Sequence, residues 1–207
     1  MNVSETPGIQ RSGTTARERS RLATRARLLA GGRTLFAERG FHGVTSHDIA
    51  RAAGVAAGTF YLHFADKQAL FREIVDEAIR GLRGRLQAAF ESTDDPRGAV
   101  AAHAEALVSF AEENADLVHI VFGRDHRDVE IEADVLDYLA TVGADVLRER
   151  IARGAMRTAL DPAVASQALT GMFARVIAWW IEGGMKTPRE TMVKTLVGIQ
   201  LQGLYEN

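Results

Sequence analysis

Between Gly54 and Lys67 the chain reads GVAAGTFYLHFADK, and its last seven positions carry a phenol at Tyr61, an imidazole at His63 and an ammonium at Lys67. All three donate hydrogen bonds and one is a permanent cation, a set suited to holding an oxyanion. Upstream, Thr45 and Asp48 stand at the Thr-x-x-Asp spacing of a helix start, which places the Thr45 hydroxyl and the backbone at Ser46 beside unpaired helix N–H groups. Lys67 follows Asp66, itself a capping residue, and so adds its charge to the free amides of another helix start. Several anion positions close together fit a partner whose anions repeat, as phosphates do along a nucleic-acid strand.

Stepping about 100° per residue through residues 57–64 as a helix turns Phe60 and Phe64 to one side. Tyr61 and His63 then lie about 80° to either side of that direction, while Gly58, Thr59 and Leu62 face outward. With Ala57 at its start, the outward tip is small or apolar and suits base edges in a major groove, and the flanking groups reach the phosphate walls. The expected nucleic-acid contacts are therefore Thr45, Ser46, Ala57, Gly58, Thr59, Tyr61, Leu62, His63 and Lys67.

Positioning these residues takes short helices around tight turns. The spacing predicts a first helix over 22–39, with Leu28, Gly32, Leu35 and Phe36 on one face and Gly40 as its left-handed end. Gly31 and Gly32 cost up to about 1 kcal/mol each against alanine, which implies that another helix approaches closely there. A second helix is expected over 46–53, ended by Gly54, and a third over 57–64, so that residues 45–64 have the dimensions of a helix-turn-helix. Asp66 caps a fourth helix whose apolar positions Leu70, Ile74, Ala78, Leu82, Leu86 and Phe90 recur every fourth residue. STDDPRG, residues 92–98, breaks the chain. Further helices are predicted over 100–113, 115–122, 129–151, 162–182 and 189–204, with Asp161 and Pro162 opening the fourth of these. No stretch alternates at period two for long enough to make a sheet, so the fold is expected to be all-α.

Charge divides the chain in the same place. The net charge is −2, yet residues 1–67 hold ten Lys or Arg against five Asp or Glu, which leaves a basic front and an acidic remainder. A basic front end points to a polyanion. Cysteine is absent, which excludes a disulfide framework, a thiolate nucleophile and a thiolate zinc site. No run reaches the roughly 20 apolar residues that span a bilayer, and the first twenty positions lack an apolar signal core; a cytoplasmic protein with no membrane partner is expected.

The segment LLAGGRTLFAERGFHGVTSHDIARAAGVAAGTFYLHFADKQALF, residues 28–71, resembles the DNA-binding domain of the TetR family of bacterial transcriptional regulators. The likeness runs in register through Phe36, Gly40, Phe41, Thr45, Ile49, Gly54, Gly58, Tyr61, His63, Phe64 and Lys67. It implies an all-helical homodimer: a mobile basic arm over 1–21, an N-terminal three-helix helix-turn-helix DNA-binding domain over 22–82, and a larger helical C-terminal domain over 83–207 for ligand binding and dimerisation. It further implies a sequence-specific regulator of transcription, in most members a repressor that leaves its operator when a small molecule binds. The chain departs from the family at Ala56 and Ala57, where serine and a polar or basic residue are common. Fewer polar readers at the tip imply apolar contacts with thymine methyls and an arginine-rich arm, residues 11–27, in an A/T-rich minor groove.

In the body, Val164, Ala168, Met172, Val176 and Trp179 or Trp180 fall at helical spacing, as do Met192, Leu196, Val197 and Leu201. By resemblance these two helices pair with their copies in a second subunit. An apolar or aromatic effector would be lined by Phe110, Leu117, Ile120, Phe122, Met172, Phe173, Val176 and Trp180. Residues 119–132 gather His119, Asp125, His126, Asp128 and Glu130, ligand types for a metal but equally the composition of a solvated connection, and no metal or cofactor is expected. No nucleophile elbow, P-loop, His-Glu-x-x-His or dinucleotide glycine pattern occurs, so an enzyme is not expected. The alternative to a ligand-released regulator is a DNA-binding interaction protein whose C-terminal domain binds a protein partner and no small molecule.

Overall fold

The computed structural model describes residues 15–93, 95–123, 129–154 and 159–204, and among them every regular element is an α-helix. The order is α1 (Ala16–Arg39), α2 (Ser46–Ala52), α3 (Ala57–Tyr61), α4 (Lys67–Glu91), α5 (Pro96–Glu113), α6 (Ala115–Phe122), α7 (Val129–Ala152), α8 (Pro162–Glu182) and α9 (Arg189–Leu204). No helix among the described residues is long and apolar enough to cross a membrane.

Two helices begin earlier than apolar spacing predicts, and in both a cap is the reason. α1 starts at Ala16, so residues 16–21, expected in the arm, form its first turns. Thr15 Oγ1 accepts from the Glu18 amide at 3.2 Å while Glu18 Oε2 accepts from the Thr15 amide at 2.7 Å, a reciprocal box that needs no apolar face. Residues 1–14 of the arm lie outside the described residues. α5 starts at Pro96 because the Asp95 carboxylate accepts from the Gly98 amide at 2.8 Å and proline suits the first helical position. α3 is shorter than predicted: after Tyr61 the bonds tighten, with His63 N donating to Phe60 O at 2.9 Å.

The expected turns are in place. Gly40 ends α1 at φ 68° and Gly54 follows α2 at φ 67°, a conformation glycine adopts without steric cost. The close approach implied by Gly31 and Gly32 is real: a Cβ on Gly32 would stand 2.5 Å from Leu70 Cδ2, and one on Gly31 would stand 3.4 Å from Ala52 Cβ. α4 and α2 therefore pack directly on the backbone of α1.

Two apolar clusters hold the molecule together. The first joins Leu28, Phe36, Ile49, Phe60, Leu70 and Phe71 of α1 to α4 with Leu117, Ile120 and Val121 of α6 and Ile131 and Val135 of α7. The second joins Ala104 and Val108 of α5 with Phe173, Ile177 and Trp180 of α8 and Met192 and Leu196 of α9. Phe122, the last residue of α6, packs on both. The N-terminal helices thus share a core with the body, and α6 is the element that links them.

Candidate nucleic-acid interface

The short helix α3 makes too few internal bonds to stand alone, so its orientation is set by neighbours. Phe60 and Phe64 anchor it from within, as their spacing predicts. Arg25 of α1 fixes its far end: Nη1 donates to His63 O at 2.8 Å, Nε donates to Glu73 Oε1 of α4 at 2.9 Å, and the guanidinium lies 4.3 Å from the Phe64 ring centroid. Sequence spacing puts Arg25 in the arginine-rich arm. The structure puts it in a clamp, and no local signal reveals that use because Glu73 is 48 residues away.

With α3 held in this way, Tyr61 and Leu62 stand out from the surface at 55% and 75% exposure, and a side chain at Gly58 would meet nothing within 4 Å. Ala57 and Thr59 are half-buried beside them. Between α2 and α3 runs a groove of about 370 Å³ lined by His47, Ala50, Arg51, Gly54, Val55 and Ala57. His47 and Arg51 are exposed one helical turn apart on α2, a spacing visible in the sequence but missing from the predicted contact set.

Three predicted anion contacts are placed differently from expectation. Lys67 turns inward: its Nζ donates to Phe41 O and to Val44 O, both at 2.9 Å, and sits 4.5 Å from the Phe41 ring centroid. The ammonium thereby closes the loop between α1 and α2, two of its three donors being spent on carbonyls. His63 is half-buried with its Nδ1 enclosed and unpartnered. Burial, and then the charges of Arg21 and Arg25, push its pKa below the ordinary 6.5, so the ring is neutral rather than a cation. Thr45 is exposed at the start of α2, but its hydroxyl donates to Asp48 Oδ2 at 2.6 Å and accepts from the Asp48 amide at 3.2 Å. Those Thr45 bonds, side-chain first and backbone second, hold the Asp48 carboxyl below its usual range. Ser46 is half-buried at the same turn.

The eight residues expected around an effector do not converge on one space. Leu117 and Ile120 are buried in the first cluster. Phe173 and Trp180 are buried in the second, with Met172 and Val176 against it, and Trp180 Nε1 donates to Thr187 O at 2.7 Å. Phe110 is half-buried under the Arg85 guanidinium, and Phe122 lies between the clusters. Among the described residues no group of His, Cys, Asp and Glu could hold a metal ion. Asp125, His126 and Asp128 lie outside those residues.

A helix-turn-helix presenting an exposed tip, packed through a shared core on a larger helical body, defines a DNA-binding transcriptional regulator. Residues 28–74 match the model of the bacterial regulatory proteins of the tetR family. The chain is 30% identical over 189 residues to the transcriptional repressor KstR2 of Rhodococcus jostii, covering 87% of this chain and 90% of that one. It is 23% identical over 206 residues to the transcriptional activator FasR of Mycolicibacterium smegmatis, covering 98% of this chain and 94% of the other. Among solved structures, FadR from Bacillus subtilis in complex with stearoyl-CoA superposes with a TM-score of 0.73 at 18% identity, covering 86% of this chain and 98% of that one. The chain belongs to the TetR family of bacterial transcriptional regulators.

Proposed function

We propose that this protein is a homodimeric repressor that leaves its operator when a largely apolar small molecule binds its C-terminal body. The observation that carries the reading is the exposed pair Tyr61 and Leu62 on a helix locked by Arg25, with the same core running on into α6. Tyr61 reaches a phosphate, Leu62, Gly58 and Thr59 approach base edges, and the amides at Thr45 and Ser46 add a backbone contact. Repression follows the named role of KstR2, the relative of 30% identity. A small apolar effector is supported by the stearoyl-CoA bound to the FadR neighbour. Dimerisation is supported by Val164 and Trp179 on α8 and Ile199 on α9, large apolar side chains left 68%, 51% and 52% exposed in the single chain. The site of action is the cytoplasm, where the operator lies.

The test is to map the duplex fragments of the organism's own genome that the purified protein retains, with and without candidate metabolites. Retention of a few fragments carrying paired half-sites, lost on adding one metabolite, is the expected result. Binding of no duplex at low ionic strength would overturn the reading. Operator binding that only a protein partner relieves would favour the interaction-protein alternative.

A further inference from the structure

α7 and α8 run in opposite directions and touch closely at one point. Ser166 Oγ donates to Ala140 O at 2.7 Å, and a Cβ on Gly143 would lie 2.4 Å from that same oxygen. Away from this crossing the helices splay, and the wedge between residues 132–136 and 171–178 is left unfilled. Phe122 closes one side, leaving an open cleft of about 380 Å³ walled by Phe122, Leu136, Gly171, Ala174 and Ala178, with Glu132 and Arg175 as its charges. The volume falls within the roughly 300–1,000 Å³ range of small-molecule sites.

The two charges are not equivalent. Glu132 has an interaction of its own, whereas Arg175 is exposed at the mouth with no hydrogen bond or ion pair among the described residues. An apolar wall with one uncommitted guanidinium at its edge complements a ligand that is apolar along its body and anionic at one end. The cleft also sits where occupancy can be felt elsewhere. Phe122 lines it and packs on both cores, and the same helix supplies Leu117, Ile120 and Val121 to the core beneath α1.

We infer that the cleft between α6, α7 and α8 is the effector site, taking an apolar molecule that ends in an anionic group met by Arg175. This rests on the ligand-released reading above, and it moves the site away from the aromatic cluster around Phe173 and Trp180. Dodecanoate and dodecanol serve as probes, titrated by calorimetry into the full-length protein. Dodecanoate is expected to bind about tenfold more tightly than dodecanol, the worth of one charge-assisted contact. Arg175→Gln removes that difference by weakening dodecanoate alone. Gly171→Leu fills the cleft and weakens both probes; a Cβ at Gly171 meets no atom within 4 Å, and leucine is the better helix former, so the variant folds. Failure of either probe to bind, equal affinities for the two, or affinities unchanged by Gly171→Leu would each overturn the inference. DNA binding is measured separately, so loss of the regulator reading and loss of the cleft are told apart.

Discussion

Arg33 of α1 holds Asp116 of α6 through a planar fork, with Nε donating to Oδ2 at 2.6 Å and Nη2 donating to Oδ1 at 2.8 Å, while Nη2 also reaches Asn114 Oδ1 at 3.1 Å. Asp116 opens the helix whose later residues Leu117, Ile120 and Val121 lie in the core under α1. α6 is therefore attached to the DNA-binding helices by a polar grip at its start and an apolar one along its length. Displacing it would carry α1 along, and with it the Arg25 clamp on α3.

Breaking that fork is expected to uncouple the two ends more than it destabilises them. The pair is about one-third exposed, with side-chain values of 36% and 30%, so Asp116→Asn should lower the unfolding free energy by about 1 kcal/mol or less. The effector-induced drop in operator affinity should shrink several-fold, which binding titrations with and without effector would measure. Burial tends to raise the Asp116 pKa, but its hydrogen bonds and ion pair with Arg33 outweigh this and hold it below the ordinary 3.8. A depressed folded pKa makes the contribution present above pH 3.8 and lost as pH falls through the folded value, so wild-type and Asp116→Asn stability should converge in acid.

Lys67 separates a structural from a DNA-contacting use. Lys67→Met removes two charged hydrogen bonds to Phe41 O and Val44 O and should cost about 1.5–3 kcal/mol in a urea melt. The slope of log K against log salt for operator binding should stay unchanged. A slope reduced by about 0.9 would instead place the ammonium on a phosphate.

The comparison of Lys67 with Thr45 shows what local sequence can and cannot disclose. Caps and turns depend on neighbours a few residues apart, so Thr45 with Asp48, Asp66, Asp161 with Pro162, Gly40 and Gly54 all act where their spacing places them. Lys67 finds its acceptors 26 and 23 residues away, and Arg25 finds Glu73 at 48, distances at which the chain gives no pattern. The early start of α1 was legible through Thr15 and Glu18 but is hidden from any search for apolar spacing, because those first turns bury nothing. The effector residues were the least legible. Aromatic and aliphatic side chains on inward faces look alike whether they fill a core or line a space, and the cleft arises from a helix splay set by Gly143 and Ser166.

His103 should make the body acid-sensitive. It stacks on Phe90 at 4.8 Å and meets Phe173 edge-on at 5.9 Å; burial, with a smaller push from Arg150, lowers its pKa from 6.5 to about 4. Below pH 6.5 the unfolded chain takes up a proton that the folded ring resists, so stability is full above that pH and declines as pH falls toward 4. The loss is on the order of 2 kcal/mol. His63 shifts in the same direction and adds to the slope. His103→Phe keeps the ring stack without the proton, and urea denaturation at several acidic pH values should show a flatter decline than wild type; parallel curves would count against the buried neutral ring.

Tyr61 and Leu62 are neighbours with different expected signatures. Tyr61→Phe removes one hydroxyl directed at a phosphate, and it should weaken all duplexes alike by about 0.5–1.5 kcal/mol. Leu62→Asn changes what meets the bases, so it should alter preference at particular base pairs by about 1–3 kcal/mol. Competition binding against a panel of single-base operator variants reads both effects. A sequence-selective loss for Tyr61→Phe would reverse the assignment.

The exposed ring of Trp179 tests the second subunit. An aromatic side chain of this kind contributes most when buried, yet on the single chain Trp179 is half exposed near Val164 and Ile199. Trp179→Asp should therefore leave monomer unfolding little changed while sedimentation shows the dimer dissociating at lower dilution. Two half-sites bound by joined subunits are occupied together, and a separated subunit must bind each alone. Affinity for a duplex with both half-sites should fall toward that for a duplex with one. Unaltered sedimentation together with unaltered DNA affinity would remove this face of α8 from the interface.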